Sequence, residues 1–320
     1  MNEAARERRS GYRRAPLSDQ AKGILLMICA IALFTVLDAL AKGIGQETNP
    51  VMALWARYAG QTVIVAVIVA PRLRRVLRTR YPKLQVLRSI FLLSATSCFF
   101  TGLTMIGLAE ATAIMDLNPV IITLGAALIL GERFGPRRAV GVVVSLIGAL
   151  IVIRPGSEVF SYAALLPLAA ALFYSGYALT TRFVGRDEDA WTSLLYSALL
   201  GAILFTALIP FFWEMPDLRT AGMMAVIGFC GAGSQLMLIR ALMMAEASLI
   251  APFAYVGLIF ASLWGLLFFG EWPDLPTVIG MVVIAGAGLY VWHRETQLAG
   301  PSGSDTGGGA IRGREGNAGG

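Results

Sequence analysis

Asp38, Lys42, Arg57 and Asp116 stand inside otherwise apolar runs. An unpaired charge at the centre of a bilayer costs roughly 2.5–3.5 kcal/mol on insertion scales, so such residues are candidates for function by default. Asp38 lies about six residues below the outer end of the first run, Arg57 about seven residues into the second from the same side, and Asp116 about five residues into the fourth. At ~1.5 Å per residue these depths agree to within a few ångströms, so a single layer could hold all three. Lys42 stands one helical turn above Asp38 on the same face. Two acids then face two bases, a formal sum of zero. Two chemistries fit that balance. A buried ion network would only pin the helices together. Alternatively, Arg57 engages a substrate anion or ring, and Asp38 or Asp116 exchanges between Arg57 and a proton or solute.

Polar and aromatic residues in neighbouring runs would complete such a site. Tyr58 adjoins Arg57, Asn118 follows Asp116, and Gln235 and Tyr255 lie in the eighth and ninth runs, with Trp55, Gln61, Tyr174, Tyr177 and Trp264 elsewhere. They suit a flat or partly apolar solute held by stacking and a few hydrogen bonds. Trp191, Trp213, Trp272 and Trp292 lie near run ends and read as interfacial belt residues. Pro119 and Pro252 interrupt the fourth and ninth runs at related positions. Each removes a backbone donor and frees an acceptor, which at membrane depth is tolerated where it is buried in protein or lines a cavity. A plain kink is the other reading.

The elements that must position these residues are membrane helices. The 320 residues are 57% hydrophobic and 14% charged, with a mean hydropathy of +0.69; soluble domains carry roughly a quarter charged residues. Apolar runs of about 17–25 residues, each able to cross a ~30 Å hydrocarbon core, follow one another with short polar gaps. The expected spans are 23–44, 50–70, 86–107, 111–130, 139–153, 162–182, 191–212, 220–240, 248–269 and 277–293. A membrane barrel would need alternating segments, which are absent. The first run lacks a cleavage pattern and is read as a helix rather than a signal peptide. The tail beyond Gln297 is rich in Gly and Ser and has little to pack, so it is expected to be disordered.

Charge sets the orientation. With a cytoplasmic N-terminus, only Lys42, Arg57, Arg154 and Arg219 of the 26 Lys and Arg fall on the outer side. The positive-inside rule therefore places both termini in the cytoplasm. The basic residues occupy tails and loops rather than an aromatic-interleaved stripe, which argues against nucleic-acid binding. Cys29, Cys98 and Cys230 lie within apolar runs, without a CxxC or a histidine at metal spacing, so free thiols and no metal or cofactor are expected.

The chain repeats itself. Ala109-Glu110-Ala111 leads into a proline-interrupted run that ends at Gly131-Glu132; Ala245-Glu246-Ala247 leads into another that ends at Gly270-Glu271. Each copy belongs to a five-span half, and because five is odd the halves enter the membrane from opposite sides. Three arginines (Arg133, Arg137 and Arg138) adjoin the first Gly-Glu turn, whereas no Lys or Arg adjoins the second. Inverted halves are a transporter architecture, rocking about a midplane site; merely duplicated packing units are the alternative.

Two five-span halves, each with an Ala-Glu-Ala lead-in, an interrupted run, a Gly-Glu turn and a Gly-rich final helix (Gly141, Gly148; Gly280, Gly286, Gly288), resemble the EamA type of the drug/metabolite transporter superfamily over about residues 20–295. The resemblance implies an all-α, ten-helix membrane fold: a basic tail over 1–20, five-helix repeats over 21–155 and 156–295, and a Gly-rich tail over 296–320. It also implies a central cavity lined by the first four helices of each half, with the fifth peripheral. Gly141, Ser145 and Ala149 have a small-xxx-small spacing that permits close helix approach, within the chain or across a homodimer.

HExxH, GxSxG and P-loop motifs are absent, so the expectation is a non-enzymatic inner-membrane protein carrying a small molecule without hydrolysing ATP. A non-transporting structural membrane protein is the rival class. Trp55-x-Arg57-Tyr58, the basic loop from Pro71 to Lys83 and Gln85-x-x-Arg88 are similar to a bacterial branch that includes riboflavin importers. Riboflavin uptake is thus the leading expectation, with S-adenosylmethionine uptake and amino-acid or metabolite efflux as alternatives.

Overall fold

The computed structural model describes residues 19–118, 120–122, 124–125, 136–154, 162–184, 188–244, 253 and 255–298. Among them the chain is all-helical. The first half contributes α1 (Asp19–Glu47), α2 (Pro50–Val69), α3 (Pro82–Leu103), α4 (Leu108–Met115) and α5 (Pro136–Ile153). The second contributes α6 (Leu165–Val184), α7 (Ala190–Phe212), α8 (Leu218–Met244), α9 (Val256–Phe269) and α10 (Leu275–Leu298). The segments Pro119, Gly131-Glu132, Ala245-Glu246-Ala247 and Pro252, singled out above, lie outside the described residues.

Local chemistry sets the helix starts. Asn49 caps α2 by accepting the Met52 N–H at 3.2 Å, and Pro50, which needs no donor, follows it. Asp189 caps α7 through Trp191, and Asp217 and Asp274 cap α8 and α10 through the N–H groups of Thr220 and Thr277. Hydrogen bonds from Thr277, helped by Arg154, hold the Asp274 carboxyl below the usual carboxylate range. The α9 helix stops at Gly270, whose φ of 65° is the left-handed conformation that glycine adopts without strain. The fourth run breaks where its polar residues begin: α4 ends at Met115, and the chain turns at Asp116 and Leu117 before resuming helix.

Among the described residues, six segments are long and apolar enough to cross a bilayer: Ala21–Glu47, Pro50–Val76, Pro82–Leu103, Tyr162–Thr181, Ala190–Phe212 and Leu218–Leu238. Ala139–Ile153, Val256–Phe269 and Leu275–Tyr290 are shorter apolar helices. Length and apolarity therefore assign six crossings directly, fewer than the ten spans expected. The third span differs from its expected bounds of 86–107: helix runs over Pro82–Leu103 and gives way to a turn before Leu108. Large apolar side chains such as Val67, Ile203, Phe211, Ile259 and Val282 are exposed on the outside of the bundle, as in a chain whose solvent is hydrocarbon. This is a multi-pass membrane protein.

Helix pairing follows a pseudo-two-fold. The α1 helix packs on α8, and α6, its counterpart, packs on α3; α2 packs on α8 as α7 does on α3; α1 meets α9 as α6 meets α4. The α2–α7, α4–α9 and α5–α10 pairs lie across the axis. Glycine permits the closest crossings. A Cβ at Gly228 of α8 would lie 2.7 Å from Gly60 Cα of α2, so the two backbones touch. In α5 the small-residue stripe faces inward, with Ser145 and Ala149 buried and Gly148 against Gly280, Val283 and Ile284 of α10. The close approach to α10 is made by Gly148, beside that stripe. Gly228→Val is expected to cost about 1–3 kcal/mol through overpacking against Gly60, read as a lower unfolding temperature in detergent.

Candidate substrate site and its flanking ties

The central charges come from helices that the two-fold brings together. Arg57 of α2 is buried at 6% exposure and lies against Gly231 of α8, where a Cβ would meet Arg57 Cγ at 3.7 Å and Gln61 Oε1 at 3.1 Å. Its guanidinium lies 5.3 Å from the Phe100 ring centre and 5.4 Å from that of Tyr58, a cation–π arrangement. Tyr58 is itself fixed: it donates to Thr96 at 3.1 Å, stacks on Phe205, and fits against Gly201. Aromatic faces hold Arg57 in place while leaving its Nε buried without a hydrogen-bond partner.

Asp38 of α1 follows Leu37, which packs with Arg57 against Gly231 of α8, and Asp116 stands at the end of α4. Asp38 and Asp116 are half-buried although they lie deep in the bundle, and Asp116 Oδ2 has no partner. Among the described residues no ion pair closes this group. Tyr255 fits against Gly288 of α10. Asn118 is half-buried, its carbonyl accepting from Ser175 of α6 at 3.2 Å. Gln235 is buried one turn beyond Gly231 on α8, on the face that meets Leu37 and Arg57. An unpartnered guanidinium N–H and carboxylate oxygen, each costing about 1–3 kcal/mol when left unsatisfied, are open positions for a polar solute.

Lys42 does not belong to this group. Its ammonium is 1% exposed and forms an ion pair with Glu271 Oε1 at 2.6 Å, donates to the Ile106 carbonyl at 2.7 Å, and lies 5.3 Å from the Phe269 ring centre. Glu271 Oε2 accepts the Leu108 N–H at 3.0 Å, at the first turn of α4, where the helix dipole favours a carboxylate. One residue of the second half thus joins the end of α1 and the start of α4 in the first. With Lys42 paired to Glu271, Asp38, Asp116 and Arg57 carry a formal sum of minus one.

The far end of the bundle carries another tie. Arg88 of α3 donates to the Ser193 carbonyl at 2.5 Å and to Ser197 at 2.8 Å, both on α7, and lies 5.2 Å from the Tyr177 ring centre. Gln85 donates to Ser193 and Glu188. Of the remaining aromatics, Trp264 donates to Thr35 of α1, Trp55 donates to Thr206 of α7, and Tyr174 packs on Tyr177 at 5.5 Å. Glu271, Thr96 and the Ser193–Ser197 pair escaped the sequence reading. The recurrence of Gly-Glu was the available signal for Glu271.

Residues 21–154 and 161–292 each match the EamA-like transporter family. The chain belongs to that family. Among similar EamA-type proteins, the S-adenosylmethionine uptake transporter of Rickettsia prowazekii is 24% identical over 87% of this chain and 95% of its own. A riboflavin transporter of Rhizobium johnstonii is 30% identical over 68% of this chain and 73% of its own. The pseudopaline exporter of Pseudomonas aeruginosa is 28% identical over 83% and 94%. One crystal structure superposes with a TM-score of 0.64 at 21% identity, covering 86% of this chain and 98% of that one, a likeness of fold. These relatives are transporters, and transport is the function that the family supports.

Proposed function

We propose that this EamA-family chain is a secondary or facilitated carrier that moves a small organic metabolite by alternating access, with ten membrane-spanning helices and both termini in the cytoplasm. Its two halves rock about the Asp38–Arg57–Asp116 layer, alternately opening the Lys42–Glu271 end and the Arg88 end. The observation that carries the reading is this layer: a buried guanidinium and a carboxylate with open hydrogen-bonding positions, between helices paired by a pseudo-two-fold. A tie made only for strength would close its ion pairs.

The formal charge of minus one favours a solute with a net cation beside its anionic group, and the tyrosines favour a ring. A solute built like S-adenosylmethionine, with an adenine ring, a carboxylate, an ammonium and a sulfonium, fits both features. A second reading, riboflavin uptake, rests on the aromatic set of Tyr58, Tyr174, Tyr177 and Tyr255, which suits a flat neutral ring. When no solute is present, a proton on Asp38 or Asp116 supplies the missing positive charge, and its release accompanies solute entry.

Uptake of labelled S-adenosylmethionine and riboflavin by vesicles containing the purified protein tests the reading. Faster entry of the former than into protein-free vesicles is expected. Riboflavin entry alone would select the second reading, and entry of neither would count against both.

A further inference from the structure

Arg88 and Gln85 lie outside the central layer, three residues apart on one face of α3. They are 3% and 0% exposed. Arg88 uses Nη2 for both bonds to α7, and Gln85 uses Nε2 for its bonds to Ser193 Oγ at 3.2 Å and Glu188 Oε2 at 3.4 Å. Those bonds leave Arg88 Nε and Gln85 Oε1 buried with no partner. A charged donor without an acceptor therefore neighbours an acceptor without a donor. The complement of that pair is a group that accepts beside one that donates, as the carboxylate and ammonium of an α-amino acid do.

The place in the fold matches the chemistry. Arg57 faces α1 from the packed pair α2 and α8; Arg88 faces α6 from α3 and α7, the two-fold image of that pair. Tyr177 covers the Arg88 guanidinium and packs on Tyr174.

We propose that Gln85 and Arg88, on the helix pair that is the two-fold image of the pair carrying Arg57, form a second docking position that takes the α-amino-acid head of the solute at the end opposite Lys42 and Glu271. This rests on the carrier reading above and names the solute's head group. The carboxylate meets Arg88 Nε, the ammonium meets Gln85 Oε1, and Ser193 and Ser197 hold the guanidinium in position. In the conformation described the position is shut, and it becomes accessible when α3 and α7 part.

The test is chemical labelling of the full chain in lipid vesicles with phenylglyoxal, which modifies arginine, with the Arg88 adduct measured by mass spectrometry. Arg88 is expected to react in the folded protein. L-Methionine or S-adenosylmethionine should slow the reaction about tenfold, the effect of one charge-assisted hydrogen bond. L-Methioninol, which lacks the carboxylate, and riboflavin should leave it unchanged. An adduct that forms only after denaturation would make Arg88 a structural tie and overturn the proposal. Protection by L-methioninol as good as by L-methionine, or no protection by either amino acid, would overturn it too. The adduct is read without transport, so vesicles that carry neither S-adenosylmethionine nor riboflavin would refute the solute reading while the labelling still decides the role of Arg88.

Discussion

Replacing Glu271 with Ala is expected to destabilise the protein by about 3 kcal/mol, the low end for breaking a buried ion pair. Lys42 is fully desolvated at 1% exposure, so its charge would remain buried with only the Ile106 carbonyl and the Phe269 ring beside it. Glu271 is 31% exposed, which keeps the loss from being larger. The same change uncaps Leu108 at the start of α4. Lys42→Met together with Glu271→Met should recover much of that stability, because an apolar pair of similar volume avoids the desolvation penalty. Unfolding in detergent reads both effects. A double variant no more stable than Glu271→Ala would show that the cap on α4, not the ion pair, carries the energy.

Arg57→Lys should fold and should raise the half-saturation concentration for the transported solute by about 10- to 100-fold, as expected for losing a hydrogen bond to a charged group. Lysine keeps the formal charge but lacks the planar fork whose Nε is unpartnered here. Without the fork it also loses stacking on Phe100 and Tyr58, so position as well as bonding suffers. Asp38→Asn and Asp116→Asn test the other side of the layer by removing its negative charge one step at a time. Each should reduce the response of transport to pH. Normal, pH-insensitive transport by both would exclude proton exchange at these carboxylates.

Helix rise is fixed, so depth counted along the chain sets the expectation that Asp38, Arg57 and Asp116 stand near one level. The pairing of the halves was legible because a repeated Ala-Glu-Ala lead-in and Gly-Glu pair mark two similar units. The partner of Lys42 was not. On α1 alone, Asp38 is the acid one turn away, and Glu271 comes near only after α9 has packed on α1 and α4 and turned at Gly270. Gln85-x-x-Arg88 was legible as a motif, but the partners of Arg88 were not, because its burial against Ser193 and Ser197 comes from α3 packing on α7. Sequence gives depth; partners across the two-fold require the packing.

Counterflow in vesicles containing the purified full chain tests the central claim most directly. Vesicles loaded with unlabelled S-adenosylmethionine would be diluted into a trace of the labelled compound, beside vesicles containing the Arg57→Ala protein. A carrier whose layer binds the solute and alternates between faces should accumulate label transiently above its outside concentration, and the Arg57→Ala protein should not. Equal transient accumulation by both proteins, or none by the wild type with any of the solutes carried by its relatives, would contradict the account.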